Sequence, residues 1–135
     1  LAQGLRETAE EKIEDIKEDL KGEAEKIMKD AKEKADALID AAEKQADNIR
    51  AEAEKSGDKL IEEAQKQGQK LIDQANNPIK KLAAEKTAEK LVETAKKQAA
   101  KLEKEADAKA ETLTDKARKE ADEIMENARK KADTL

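Results

Sequence analysis

Apolar residues recur along the chain with a fixed spacing of three, four and four positions. The rhythm runs without a slip through seven repeats of eleven residues, from Ala2 to Ala75, and resumes in a new phase from Ala88 to Leu135. Eleven residues in three turns is about 3.67 residues per turn, close to the α-helical value. The pattern therefore predicts two long helices, each with a nearly straight apolar stripe.

The stripe has a regular composition within each eleven-residue repeat. The first position is mostly Ala or Gly, the fourth is mostly Leu or Ile, and the eighth is Ala except at Leu20. A further apolar residue often occupies the fifth position, and these residues are Met28, Ile39, Ile61, Ile72, Val92 and Met125. Since the four positions share one side of a helix, they predict an inward face that meets another helix.

The two phases are separated by Asn76-Asn77-Pro78, which contains the only proline. Asparagine tolerates the left-handed conformation that often ends a helix, and an Asn followed by Pro suits the N-cap and first position of the next helix. We predict one helical domain over residues 1–135, with helix 1 in 1–75, a turn in 76–78 and helix 2 in 79–135.

Pairing arithmetic favours a fold-back over a continuous rod kinked at the proline. If the chain reverses at the turn, the residue numbers of any two opposed residues add up to a constant, which we call the index sum. First positions of the repeats oppose each other at an index sum of 156, as Gly68 and Ala88 do. Fifth positions oppose at a sum of 153, which places Arg50 opposite Glu103. The predicted fold is all-α, a long antiparallel helical hairpin of the hendecad coiled-coil type.

Helix 1 is longer than its partner in this register. Leu135 falls near Leu20, so residues 1–20 overhang and carry the bulkiest part of the stripe. Exposed aliphatics of this size usually find a partner, and antiparallel pairing of two hairpins would cover them. We therefore expect a homodimer, or association with another helical protein, through a surface that comprises Ile13, Ile16, Leu20, Met28, Ile39, Ile61 and Ile72.

Composition argues against an enzyme. Of 135 residues 47% are charged, none is aromatic, and His and Cys are absent, which excludes disulfides, thiol nucleophiles and imidazole bases. The many carboxylates fall on predicted solvated helix faces and not in a desolvated site. The acidic run in 10–19 is interleaved with lysines near a helix N-terminus, so its charge needs no cation. We predict no catalytic residue, no cofactor and no metal site.

Other partners are judged from charge and hydropathy. The net charge is −5, and without a basic stripe or stacking aromatics the chain is not expected to bind nucleic acid. No apolar run is long enough to span a bilayer or to form a signal-peptide core. The chain begins at Leu1 and not at Met, which indicates a processed form or a fragment of a longer protein.

A lipid surface is the alternative partner, because an eleven-residue amphipathic period is also how surface-seeking helices are built. The apolar face here is narrow and half alanine, which favours a helix as its partner. The leading hypothesis is a non-enzymatic structural or interaction module, followed by an amphipathic lipid-surface protein and then a hydration-protectant protein.

The repeats GDKLIEEAQKQ and AEKLVETAKKQ resemble the eleven-residue repeats of apolipoprotein A/E-like and late-embryogenesis-abundant proteins. They are also similar to the peripheral-stalk helices of rotary ATPases. The stretch NNPIKKLAAEKTAEKLVETAKKQAAKLEKEAD resembles the helical tail of bacterial AsmA-like envelope proteins. That last resemblance implies a location at the bacterial cell envelope or in the periplasm.

Overall fold

The computed structural model describes residues 2–135 and contains two helices. Helix α1 spans Ala2–Gln74 and helix α2 spans Pro78–Asp133. The helices pack against each other as a hairpin, and their contacts pair Gly57 with Ala99 and Gly68 with Ala88. Both pairs have an index sum of 156, so the predicted all-α antiparallel hairpin is confirmed.

The connection between the helices is short and capped on one side. The Asn77 side-chain Oδ1 accepts a hydrogen bond from the Lys80 backbone N–H at 2.8 Å, and the Asn77 carbonyl accepts one from the Lys81 N–H at 2.9 Å. Asn77 is therefore the N-cap of α2 and Pro78 its first residue.

The end of α1 differs from the expectation of a left-handed asparagine. Within residues 2–135 no residue has a positive φ. The last turn tightens instead, because the Ala75 N–H donates to the Ile72 carbonyl at 3.2 Å, a spacing of three residues that is common at helix ends.

Residues Ala42–Thr114 form one compact unit that contains the turn. Its interior is a seam of small residues, and every first or eighth position that is buried is alanine or glycine. The buried residues of this seam are Ala42, Ala46, Gly57, Ala64, Gly68, Ala95, Ala99, Ala106 and Ala110.

Residues 2–41 and Asp115–Leu135 form the other compact unit. It has the same construction, with small residues at the buried positions and larger ones beside them. Its buried residues are Ala31, Ala35, Ala117, Ala121 and Ala128.

The large aliphatic residues are not the core of either unit. Among residues 2–135 every buried residue is Ala or Gly, and no large side chain is fully buried. The sequence stripe predicted four inward positions, whereas the structure buries the first and eighth and leaves most fourth and fifth positions half-buried. The physical reason is that small residues let the two backbones approach closely, so that longer side chains are displaced to the flanks of the seam.

Candidate association surface

Glycine allows a close approach of the two helices in the unit Ala42–Thr114. A Cβ built on Gly57 would lie 2.9 Å from the Ala99 Cβ, and one built on Gly68 would lie 2.7 Å from the Ala88 Cβ. Such distances are shorter than van der Waals contact between carbon atoms. The seam therefore has no room for a side chain at either glycine.

Grooves lined by both apolar and polar side chains flank this seam. In the unit Ala42–Thr114 a groove of about 380 Å³ is lined by half-buried Leu60 and Leu91, with buried Ala64 and Ala95 at the seam. Leucine on one helix thus lies beside alanine on the other, with Leu60 next to Ala95 and Leu91 next to Ala64. The aliphatic side chains keep one side toward the helix partner and one side toward solvent.

The unit formed by residues 2–41 and Asp115–Leu135 has a similar groove. Its volume is about 490 Å³, and it is lined by half-buried Ile27 and Ile124 together with buried Ala31 and Ala128. Two grooves of the same design, one in each unit, show that exposure of aliphatic flanks follows from the repeat itself.

The residues predicted to form the association surface occupy two kinds of position. In the unit that contains residues 2–41, Ile13 is 52% exposed and Ile16 is 56% exposed. The other predicted residues are half-buried, Leu20 at an eighth position of the repeat and the rest at fifth positions on the flanks of the seam. They are Leu20, Met28 and Ile39 in that unit, and Ile61 and Ile72 in the unit Ala42–Thr114.

One exposed aliphatic pair at the start of α2 was not predicted from the sequence. Ile79 is 83% exposed and Leu82 is 56% exposed, in the first turns of α2. Ile79 precedes Ala88 by nine residues, which is two and a half helical turns, so it lies on the side of α2 away from the seam. A signal was available, because the equivalent positions of every later repeat hold charged or polar residues.

An ion pair joins the helices at the predicted polar interruption of the stripe. The Arg50 Nε donates to the Asp107 Oδ1 at 3.1 Å. The sequence places Arg50 opposite Glu103, and the ion pair forms with Asp107, one turn further along α2. A long arginine side chain can reach a carboxylate one turn away from the position opposite it, so the register alone does not identify the ion-pair partner.

The described part of the chain offers little chemistry beyond packing. Residues 2–135 contain no buried charged side chain, and no group of three or more Asp and Glu side chains there is placed to hold a metal ion. Neither helix in this range combines the length and the apolar character needed to cross a membrane. The surface that distinguishes the molecule is its exposed aliphatic residues.

Comparison with known proteins places the chain in one family. A family model described as polarized growth protein Scy matches residues 1–135. Curated proteins and solved structures give no significant match. The match covers the whole chain, and the chain therefore belongs to the Scy family of polarized growth proteins.

Proposed function

We propose that the chain is a non-enzymatic structural module that self-associates through its exposed aliphatic residues, within a protein of polarized growth. One observation carries this proposal. Of the residues from 2 to 135, those that are buried are all alanine or glycine, while Ile13 and Ile16 are exposed and most of the larger stripe residues remain half-buried. A helix pair that leaves its largest apolar side chains in water has most of its hydrophobic stabilisation still to gain.

A second copy of the hairpin is the partner that fits this surface. Complete burial of one Leu or Ile side chain contributes roughly 1.5–3 kcal/mol, and the flanks repeat such residues every eleven positions. Antiparallel pairing of two hairpins covers the flanks of both and gives a four-helix arrangement. Each copy then contributes the same residues, as in a two-fold symmetric dimer.

The family supports a structural role, since its description names polarized growth and no reaction. The charged faces support it as well. Pairs such as Glu62 with Lys66 and Glu126 with Lys130 connect neighbouring turns at 3.5 and 3.9 Å, which favours helix on the exposed side by a few tenths of a kcal/mol per pair. These pairs stabilise the helical conformation of each helix without any contribution from a ligand.

Sedimentation of a triple variant tests the proposal. Ile13→Ser, Ile16→Ser and Leu20→Ser together remove the bulkiest part of the surface without touching the buried seam residues. We expect the variant to dissociate at concentrations at which the unaltered chain is a dimer. Circular dichroism should show that most of the helix is retained.

The control variant also introduces three serines with the spacing of positions 13, 16 and 20. It combines Glu52→Ser, Lys55→Ser and Lys59→Ser, at three exposed positions. It should leave the dimer intact. A dimer that survives the first substitution as well as the second would contradict the proposed surface. Helix that forms only when phospholipid vesicles are added would contradict the structural role and favour the lipid-surface alternative.

A further inference from the structure

The hairpin turn carries an apolar patch that the repeat does not explain. We define the tip patch as Ile79 and Leu82, which are 83% and 56% exposed. Ile79 and Leu82 are three residues apart and therefore share one face of α2. This face points away from α1, so neither the seam nor its flanks cover the pair.

The sequence around the tip patch is basic. Residues 66–86 contain five lysines and two acidic residues, a net charge of +3, although the whole chain is acidic. Lys80 and Lys81 lie between the two aliphatics of α2, and Lys86 follows one turn after Leu82. The tip patch is therefore an apolar surface with a basic rim.

The first helical residues have the opposite character. We define the N-terminal segment as residues 2–20, which contain seven acidic and three basic residues, a net charge of −4. Its face presents Leu5, Ile13 and Ile16, and Leu5 is 72% exposed. The chain thus contains two surfaces, each exposed in the single hairpin, that match in apolar character and are opposite in charge.

We propose that the N-terminal segment of one copy packs on the tip patch of a second copy. This inference rests on the self-association proposed above, and it specifies the register of the pair. Because the segment and the patch belong to the same chain, the contact forms twice in a two-fold symmetric pair, and the assembly closes as a dimer.

A second copy explains the tip patch better than a lipid surface does. Interfacial helices usually insert Trp, Phe or many Leu, whereas the chain has no aromatic residue and α2 offers only two large aliphatics at this face. An acidic, aliphatic complement is present in the same chain. Complementary charge of this kind selects the register of association in addition to attracting the partner.

Paired substitutions test the contribution of the tip patch. Ile79→Ser with Leu82→Ser removes the two aliphatic side chains from the outer face of α2. These positions lie away from the seam, so the packing of the two helices should not change. We expect the dissociation constant of the dimer to rise by about tenfold or more, because two buried aliphatic side chains are lost. The matched control is Lys101→Ser with Lys104→Ser, two repeats further along at exposed positions, and it should leave the constant unchanged.

Cross-linking tests the proposed contact directly, since the chain has no native cysteine. One preparation carries Ile16→Cys and the other carries Ile79→Cys, and the two are mixed, allowed to exchange and treated with a short bismaleimide. We expect a covalent heterodimer. Its yield should fall at high salt, because the N-terminal segment is acidic and the rim of the tip patch is basic. Replacing Ile79→Cys by Glu93→Cys should abolish most of the cross-link.

The outcomes separate this inference from the function on which it rests. If the unaltered chain is a monomer, the proposed self-association is wrong and the register is wrong with it. If the chain is a dimer whose dissociation constant is unchanged by Ile79→Ser with Leu82→Ser, and no cross-link forms between positions 16 and 79, only the register is overturned. The chain could instead float with anionic vesicles only when Ile79 and Leu82 are present, while the dimer is unaffected by their loss. That result would assign the tip patch to a lipid surface and overturn the inference.

Discussion

A Cβ placed on Gly68 would lie 2.7 Å from the Cβ of Ala88 and 3.2 Å from its Cα. The backbones of α1 and α2 are therefore almost in contact at this point, and the Ala88 methyl group occupies the space that a side chain on Gly68 would need. This approach explains why the large aliphatics of the hairpin lie on the flanks, where they remain available to a partner.

Gly68→Ala should destabilise the hairpin although alanine is the better helix former. Alanine gains about 1 kcal/mol of helix propensity, but the new methyl group must push Ala88 away, and overpacking typically costs about 1–3 kcal/mol. We expect a lower midpoint in urea unfolding, followed by circular dichroism at one fixed protein concentration.

Gly22→Ala is the matched control, because a Cβ at Gly22 would meet no atom within 4 Å. It should raise stability by about 0.5–1 kcal/mol. The swap that combines Gly68→Ala with Ala88→Gly moves the methyl group to the opposite helix and should recover much of the loss. Equal stabilisation by Gly68→Ala and Gly22→Ala would show that the helices do not approach closely here.

A leucine in the seam should be disruptive where a leucine outside it is harmless. Ala110 is the most completely buried residue described, whereas Ala108 on the same helix is exposed. Ala110→Leu should lower the free energy of unfolding by about 1–3 kcal/mol, and Ala108→Leu should change it by less than about 0.5 kcal/mol. Urea unfolding of the two variants, which differ only in the position of the leucine, measures the difference.

The cap at the turn should contribute measurably to stability. Asn77→Ala removes the oxygen that accepts the Lys80 N–H, and loss of an N-cap costs about 0.5–2 kcal/mol. Asn76→Ala changes the neighbouring asparagine and leaves that hydrogen bond in place. Thermal unfolding should show a lower Tm for Asn77→Ala than for Asn76→Ala, and equal values would contradict the assignment of the cap.

The interhelical ion pair should make only a small contribution. Arg50 and Asp107 are both largely exposed, and exposed pairs typically contribute about 0.2–1 kcal/mol. A double-mutant cycle with Arg50→Gln and Asp107→Asn should give a coupling free energy in that range that decreases at high salt. A cycle built with Glu103→Gln in place of Asp107→Asn should give a coupling near zero.

The eleven-residue rhythm and the single proline were sufficient to predict the hairpin, because periodicity determines which side of each helix is apolar and the turn determines how those sides meet. The rhythm also predicted that Gly68 opposes Ala88. It did not predict which stripe positions are buried, since that depends on how closely the backbones approach.

The partner of Arg50 and the exposure of Ile79 were not predicted, and for different reasons. A long, flexible side chain can reach a carboxylate one turn away from its opposed residue, so register alone does not identify its partner. Ile79 lies outside the rhythm, so the periodicity that determines the apolar face of α2 carries no information about its exposure.

Sedimentation equilibrium of the unaltered chain, without lipid, shows whether the hairpin associates with itself. We expect a mass that approaches twice the single-chain value of 14.9 kDa as concentration rises, because association covers the aliphatic flanks and the N-terminal segment. A mass that stays at the single-chain value over the whole accessible concentration range would contradict self-association and would require a different partner for these residues.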